Sequence, residues 1–535
     1  MTAAGNRAAT IAILALAAVL RLPLLSSGLP YISYVDEGGV LRPVMRLVRS
    51  GGWDPGWYQY PSLTMYLTAA VAHASRPFYH LVHGRPLAED IPPEGDLYDL
   101  IAPPAVILAG RGVVFAASLV TLLLGMALAR RIAGPPAALA AGLLLATTPA
   151  LVQRSGIVNT DTVSAAFALG VLLASENLRS ILRKEGPSSI AARRLALLAG
   201  ALAGLAAATK YPAGSVFVVI LVAVFAPGGL SWGRVRLAGL AALAAVLSTC
   251  IAMPALVFRT RQVAAGLAAQ VHDYATFAST PGLFRQALFP EELGWLLTLA
   301  GLLGLGLLAR RRETLPTVAS WLAFGGLLLG PLLRYGFQPF RNALPLVPPL
   351  LVAAAAFLLP ASPHPRSRVA LGGLGLLIVL VTFVPGWKWT YRDRVVRDSR
   401  RIFIEWLVTV ARPDHRVLFV RELAFLPKEL ERVQATVVVA PWTEARALAE
   451  GGSFDALVYG KFDLAGALPI PDGRIPAFNR FESWLETLRI EDRFGSVPTP
   501  IYDGYWRSND ELLLLAMRSN SGEPLRRART NPASQ

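Results

Sequence analysis

AVILAGRGVVFAASLVTLLLGMALARRIAG, residues 105–134, decides the fold class: it outruns the roughly 20 residues of helix needed to cross a hydrocarbon core and closes on the basic pair Arg130-Arg131. Comparable apolar runs recur from Ile11 to Val384. The chain of 535 residues is 54% hydrophobic and only 16% charged, with a mean hydropathy of +0.48. That composition is far from the globular average, so lipid is the solvent for most of the chain. The expected architecture is a polytopic α-helical membrane protein with spans at 8–25, 105–129, 135–152, 162–178, 195–209, 213–228, 237–257, 292–309, 315–333, 342–360 and 369–386, about eleven in all. The first run follows Arg7 and lacks a small-x-small cleavage site before Arg21, so it reads as a span and not as a signal peptide.

Charge sets the orientation. With a cytoplasmic N-terminus, Arg130-Arg131, Arg179 to Arg194, Arg234-Arg236, Arg310 to Arg312 and Arg366-Arg368 all fall on the cytoplasmic side, as the positive-inside rule requires. The segment 62–75, SLTMYLTAAVAHAS, is apolar but short; counting it as a span would invert every later loop, so a re-entrant or interfacial helix is expected there. Trp53, Trp57, Tyr58 and Tyr60 precede it, either as headgroup anchors or as sugar-stacking rings. The net charge of +16 (51 basic minus 35 acidic) resides mostly between spans, where it sets topology and meets anionic lipid, and nucleic acid is not expected as a partner. The single cysteine, Cys250, excludes a disulfide framework and a thiolate metal cluster within the chain.

An odd span count delivers the C-terminal segment to the outer face, with the long loops 26–104 and 258–291. Residues 1–386 form the expected transmembrane domain, 387–518 a water-soluble α/β domain, and 519–535, rich in Ser, Pro, Asn and Arg, a disordered tail. Within the α/β domain a helix is predicted at 399–411 and another at 444–451, with strands at 416–420, 435–440, 455–460 and 511–517. It carries no Gly-rich phosphate loop, nucleophile elbow or metal-ligand cluster.

Candidate chemistry collects at the predicted outer ends of the spans. Asp36 and Glu37, in YISYVDEGGVLRP, follow the first span and could serve as a partly desolvated general base or as a cap of the amphipathic stretch from Gly38 to Arg49. Asp161 sits in NTDTVSAAF, where Asn159, Thr160 and Asp161 are all good N-caps for the next span. Lys210, in GLAAATKYPAG, is a lone cation in a tight outer turn, against the charge bias; it reads as a functional residue expecting an anionic partner, or as a snorkelling lysine. Arg341 in PFRNALPLVPP also defies the bias, and Arg154, Arg259, Arg261 and Arg334 extend the basic set. His272-Asp273 is an acid/base or metal pair, or a solvated polar pair. Cations beside a carboxylate suit a lipid-linked phosphate ligand, with the carboxylate taking a proton from an attacking hydroxyl.

At these residues the sequence resembles the membrane-embedded GT-C glycosyltransferases, in particular the protein O-mannosyltransferase and aminoarabinose transferase-like group. The resemblance rests on the acidic pair Asp36-Glu37, then WDPGWYQYPSLTMYL, ALARRIAG, the Asn-Thr-Asp turn at 159–161, GLAAATKY and RNALP at 341–345, in that order over residues 10–386. It implies a GT-C fold and transfer of a sugar from a polyprenyl-phosphate donor to a hydroxyl-bearing glycan, lipid or protein at the outer face, usually with inversion. It also implies Asp36 as catalytic base with Glu37 supporting it, Asp161 as a second acid, and Lys210, Arg341 and Arg154 at the donor phosphate. Tyr60 and His272 fall where acceptor or lid contacts are expected. The YPSL stretch lacks the basic residue found where the aminoarabinose group has Lys-Pro-Pro, so neither that sugar nor a lipid A acceptor is implied. The Cys-His-Asp features of metal-dependent oligosaccharide transferases are absent; no cofactor is expected, and a divalent metal is not indicated. The expected location is the plasma or inner membrane, with the active site and C-terminal domain extracytoplasmic. A transporter or flippase for an anionic or lipid-linked glycan precursor is the rival reading; it calls for inverted repeats and ionisable groups at mid-membrane.

Overall fold

A computed structural model describes residues 3–29, 35–91, 102–276, 282–289, 292–336, 338–359, scattered positions from 373 to 384, and 399–420, 430–451, 454–460, 489–494 and 512–516. These divide into two compact units, one drawn from 1–26, 40–90 and 105–392, the other from 27–39, 91–104 and 393–535. The expected boundary at 386/387 and the tail 519–535 lie outside the described residues.

The larger unit is helical. In chain order the helices are α1 (Ala3–Leu25), α2 (Val35–Ser50), α3 (Leu63–His83), α4 (Pro104–Ala133), α5 (Pro135–Thr147), α6 (Pro149–Ser155), α7 (Thr160–Lys184), α8 (Ile190–Thr209), α9 (Phe217–Phe225), α10 (Trp232–Ala252), α11 (Ala255–Phe258), α12 (Thr260–Thr276), α13 (Leu283–Ala287), α14 (Trp295–Ala309), α15 (Leu315–Leu329) and α16 (Val347–Leu358). The first turn of α2 belongs to the smaller unit. Short 3-10 turns, Tyr211–Val216 and Phe340–Leu346, lead into α9 and α16. Among the described residues six helices are long and apolar enough to cross a membrane, and α5 with α6 makes a seventh if the bent pair is one span. Three shorter apolar helices, Tyr211–Phe225, α14 and α15, occupy further expected spans. Of the expected span 369–386 only scattered positions are described.

Small residues let these helices approach closely, which is how helices pack where lipid removes any hydrophobic gain from association. Gly200 and Gly204 of α8 lie against the backbone of Ala241 and Ala245 in α10, so that a Cβ at either position collides with a carbonyl. Gly304 of α14 meets Ala353 of α16 in the same way.

Three expectations are corrected. The span 135–152 is not one helix: α5 and α6 meet at a 57° bend. Its cause is Pro149, which has no N–H to offer the carbonyl of Leu145. Arg21 of α1 fills the gap, its guanidinium donating to the carbonyls of Leu145 (2.9 Å) and Ala146 (2.8 Å). The amide of Ala150 turns instead to the carbonyl of Glu292, 3.2 Å away. Second, the short helix expected at 62–75 runs on to His83; with Arg76, His73, His80 and His83 it is not among the helices apolar enough to span. Third, 258–291 is largely helical, through α12 and α13, and not an open loop.

The smaller unit carries a five-stranded sheet of β1 (Arg416–Val420), β2 (Thr436–Ala440), β3 (Ala456–Gly460), β4 (Arg489–Phe494) and β5 (Leu512–Ala516), with α17 (Ser399–Val410) and α18 (Trp442–Gly451). The order is β2-β1-β3-β5-β4, with β1 parallel to both neighbours and β5 antiparallel to β3 and β4. Register follows the apolar runs, Val417 opposite Val437 and Phe419 opposite Val439. Phe403 and Leu407 of α17 pack on Val417, Phe419 and Val458. Strand β4, RIEDRF, was not among the expected strands, because four of its six residues are charged.

Candidate functional site

The site is built at the end of the helical unit where α7 begins and α8 ends. Asn159 supplies the N-cap of α7: its side chain accepts the Thr162 amide at 2.8 Å and donates to the carbonyls of Arg154 (2.6 Å) and Ile157 (2.9 Å). The capping alternative for Asp161 is thereby taken by its neighbour, and the Asp161 carboxylate sits in the first turn, where the helix dipole favours a negative charge. Lys210 stands at the C-cap of α8 in an extended conformation that carries its side chain out of the helix. Its ammonium donates to Asp161 Oδ1 and, at 2.7 Å, to Asn342 Oδ1. Asn342, in the 3-10 turn before α16, donates from Nδ2 to the Tyr274 hydroxyl of α12 at 2.9 Å. Lys210 and Asp161 are each 5% exposed, so this ion pair is shielded from water, and two of the three ammonium donors are spent on protein acceptors.

Above the pair lies a cavity of about 140 Å³ with Lys210, Asn342, Tyr60 and Tyr274 in its lining and largely apolar walls. Arg334 lies at the same cavity, exposed, its guanidinium 4.8 Å over the ring of Tyr335. Beside it on α12, Asp273 accepts from Gln59 Nε2 at 3.2 Å. Burial holds the Asp273 carboxyl above its usual range, against the opposing pull of His272 and Gln59.

The sequence-predicted residues are thus distributed unevenly. Lys210 and Tyr60 line the cavity, and Asp161 is joined to it only through its ion pair with Lys210. Arg341 is half-buried next to Asn342. Arg154, expected at a donor phosphate, is instead buried in an ion pair with Glu292 at 3.2 Å and is not part of the cavity wall, because α6 turns its side chain into the protein. His272 is exposed on α12 and likewise not part of that wall. Glu37 is buried in the first turn of α2, and the side chain of Asp36 lies outside the described residues. Sequence reasoning missed Asn342, Tyr274 and Glu292. The first two adjoin residues that did stand out, Arg341 in RNALP and His272-Asp273 in HDY, while Glu292 was absorbed into a span end. Among the described residues no three His, Cys, Asp or Glu side chains gather as a metal-ligand set.

A family model described as dolichyl-phosphate-mannose-protein mannosyltransferase matches residues 105–258. No curated protein matches the chain in sequence. Among solved structures, ArnT from Cupriavidus metallidurans bound to undecaprenyl phosphate superposes with a TM-score of 0.56 at 14% identity, over 98% of this chain and 100% of that one. The fold is that of the GT-C glycosyltransferases. A second GT-C structure, the Archaeoglobus fulgidus oligosaccharyltransferase tethered to an acceptor peptide, matches with a TM-score of 0.51 at 12% identity, over 86% of this chain and 69% of that one. Asp161 and Lys210 both fall within the residues matched by the family model, which run from α4 to α11.

Proposed function

We propose that the chain is a glycosyltransferase that moves a sugar from a polyprenyl-phosphate donor to a hydroxyl acceptor at the extracytoplasmic face, by a single inverting displacement. The observation that carries this reading is the pair Lys210 and Asn342 lining an apolar-walled cavity, with buried Asp161 holding the Lys210 ammonium from behind, in a fold shared with a protein bound to undecaprenyl phosphate. A cavity of about 140 Å³ suits a head group, and is well below the ~300–1,000 Å³ pockets that enclose drug-sized ligands.

In the proposed step Asp36 takes the proton of the acceptor hydroxyl, whose oxygen forms a bond to C1 of the sugar as the bond from C1 to the phosphate oxygen breaks. The electron pair leaves with polyprenyl phosphate. The leaving group is a stable anion and needs charge compensation more than protonation. Lys210, Arg334 and Arg341 supply it; Asp161 and Asn342 hold the Lys210 ammonium in place. Glu37 supports Asp36, Tyr60 and His272 contact the acceptor, and residues 387–518 form an extracytoplasmic accessory domain.

The test is donor consumption by the purified protein in lipid nanodiscs, offered a panel of radiolabelled polyprenyl-phosphate sugars, with Asp36→Asn in parallel. The expected result is turnover of one donor by the wild type and loss of transfer, with donor binding retained, in the variant. Near-normal turnover by Asp36→Asn removes Asp36 from the role. Consumption of no donor, with solute movement across the bilayer instead, favours a transporter.

A further inference from the structure

Arg21 presents a problem that the proposed chemistry does not address. Its side chain is 1% exposed, deep in the helical unit. Its terminal nitrogens donate to the carbonyls of Ala17, Leu145 and Ala146. Its Nε–H, equally buried, has no partner among the described residues. A buried donor left unmet is costly, and this one belongs to a charged group.

The side chain borders a cavity of about 10 Å³, close to the smallest volume that admits one water molecule. Three hydroxyl-bearing residues line that cavity, Ser118 and Thr121 on α4 and Thr162 on α7. Each hydroxyl has spent its proton on a backbone carbonyl: Ser118 on Phe115 at 2.7 Å, Thr121 on Ala117 at 2.9 Å, and Thr162, more weakly, on Arg154 at 3.5 Å. What they offer the cavity is lone pairs. The lining therefore presents one N–H donor and up to three oxygen acceptors. An anion finds only the guanidinium and is repelled by the hydroxyl lone pairs; a cation is repelled by the guanidinium. A neutral molecule of water size, with one acceptor site for Arg21 and two protons for the hydroxyls, satisfies both.

We infer that this cavity binds one buried water, accepting from Arg21 Nε–H and donating to Thr162 on α7 and to one of the α4 hydroxyls, Ser118 or Thr121. Three bonds are typical of a buried structural water. It ties α1 and α4 to the first turn of α7, one residue beyond Asp161, so it acts as a fixed strut under the Asp161–Lys210 pair.

The test is an experimental structure of the full-length protein in nanodiscs, at a resolution that shows ordered buried waters. The expected result is a single peak within about 3 Å of Arg21 Nε, of the Thr162 hydroxyl and of the Ser118 or Thr121 hydroxyl. A cavity without such a peak in a map that resolves other buried waters overturns the inference, as does a direct bond from Arg21 Nε to a hydroxyl. The Thr121→Val, Thr162→Val double variant keeps shape and removes two acceptors; the peak should vanish while the helices stay in place. Its persistence there overturns the assigned partners.

Discussion

Replacing Asp161 by alanine leaves the Lys210 ammonium buried with Asn342 as its remaining acceptor. Both partners of the pair have side chains only 7% exposed, so water cannot take over the carboxylate's role. Removing one member of a buried pair costs about 3–5 kcal/mol, because the other charge is stranded, whereas replacing both by apolar residues of similar volume is near neutral. The double variant Asp161→Leu, Lys210→Met also leaves Asn342 Oδ1 with the Tyr274 hydroxyl as its donor, at 3.2 Å, a further loss of at most about 1 kcal/mol. At about 2 °C per kcal/mol, Asp161→Ala and Lys210→Met should each lower the thermal midpoint by about 6–10 °C, and the double variant by no more than about 2–4 °C. Thermal unfolding of the four proteins in one detergent, followed by helical circular dichroism, reads the comparison directly. Melting of Asp161→Ala together with the wild type, or a double variant that loses the sum of the single losses, refutes a stranded charge as the cause.

Tyr274→Phe takes the acceptor from Asn342 Nδ2 and should cost about 1 kcal/mol, seen as a small drop in the same melting experiment; no drop means that Asn342 does not depend on α12. Because burial raises the Asp273 carboxyl above its unfolded value, its contribution to stability is present below the usual carboxylate range and fades as pH rises through the raised value. Melting of wild type against Asp273→Asn across mildly acidic pH should show that slope in the wild type only. Gly204→Leu forces a side chain into the Ala245 carbonyl and should cost about 1–3 kcal/mol or more, read as a loss of monodisperse protein on size exclusion; full recovery of folded protein would show that α8 and α10 can separate.

The helical architecture was legible because hydropathy is a property of composition and needs no contacts to be read. What composition hides is a break inside an apolar run. PPAALAAGLLLATTPALV reads as one span, and only the missing N–H of Pro149, replaced at the Leu145 carbonyl by an arginine 124 residues before that leucine, explains the bend. The site divided along the same line. Lys210 stood out because a cation in that turn defies the charge bias, yet its partners come from 49 and 132 residues away. Arg154 stood out for the same reason, but its carboxylate, Glu292, lies 138 residues on, at the start of an apolar run where an acid reads as a boundary. Helix α12 was missed since it alternates short apolar and polar patches without a run long enough to register.

The Arg21 clamp also constrains how the protein is made. Its guanidinium enters the membrane with the first span, while the carbonyls of Leu145 and Ala146 that receive it are synthesised about 125 residues later. At roughly 5–20 residues per second that gap is on the order of ten seconds. During it the arginine must reach toward the headgroups or be shielded by the insertion machinery, and the first helix cannot take its final depth. Assembly is therefore ordered in time: α1 settles only once the bent pair α5–α6 has arrived, so a truncated chain ending before residue 145 should leave its first helix shallow and prone to quality-control degradation.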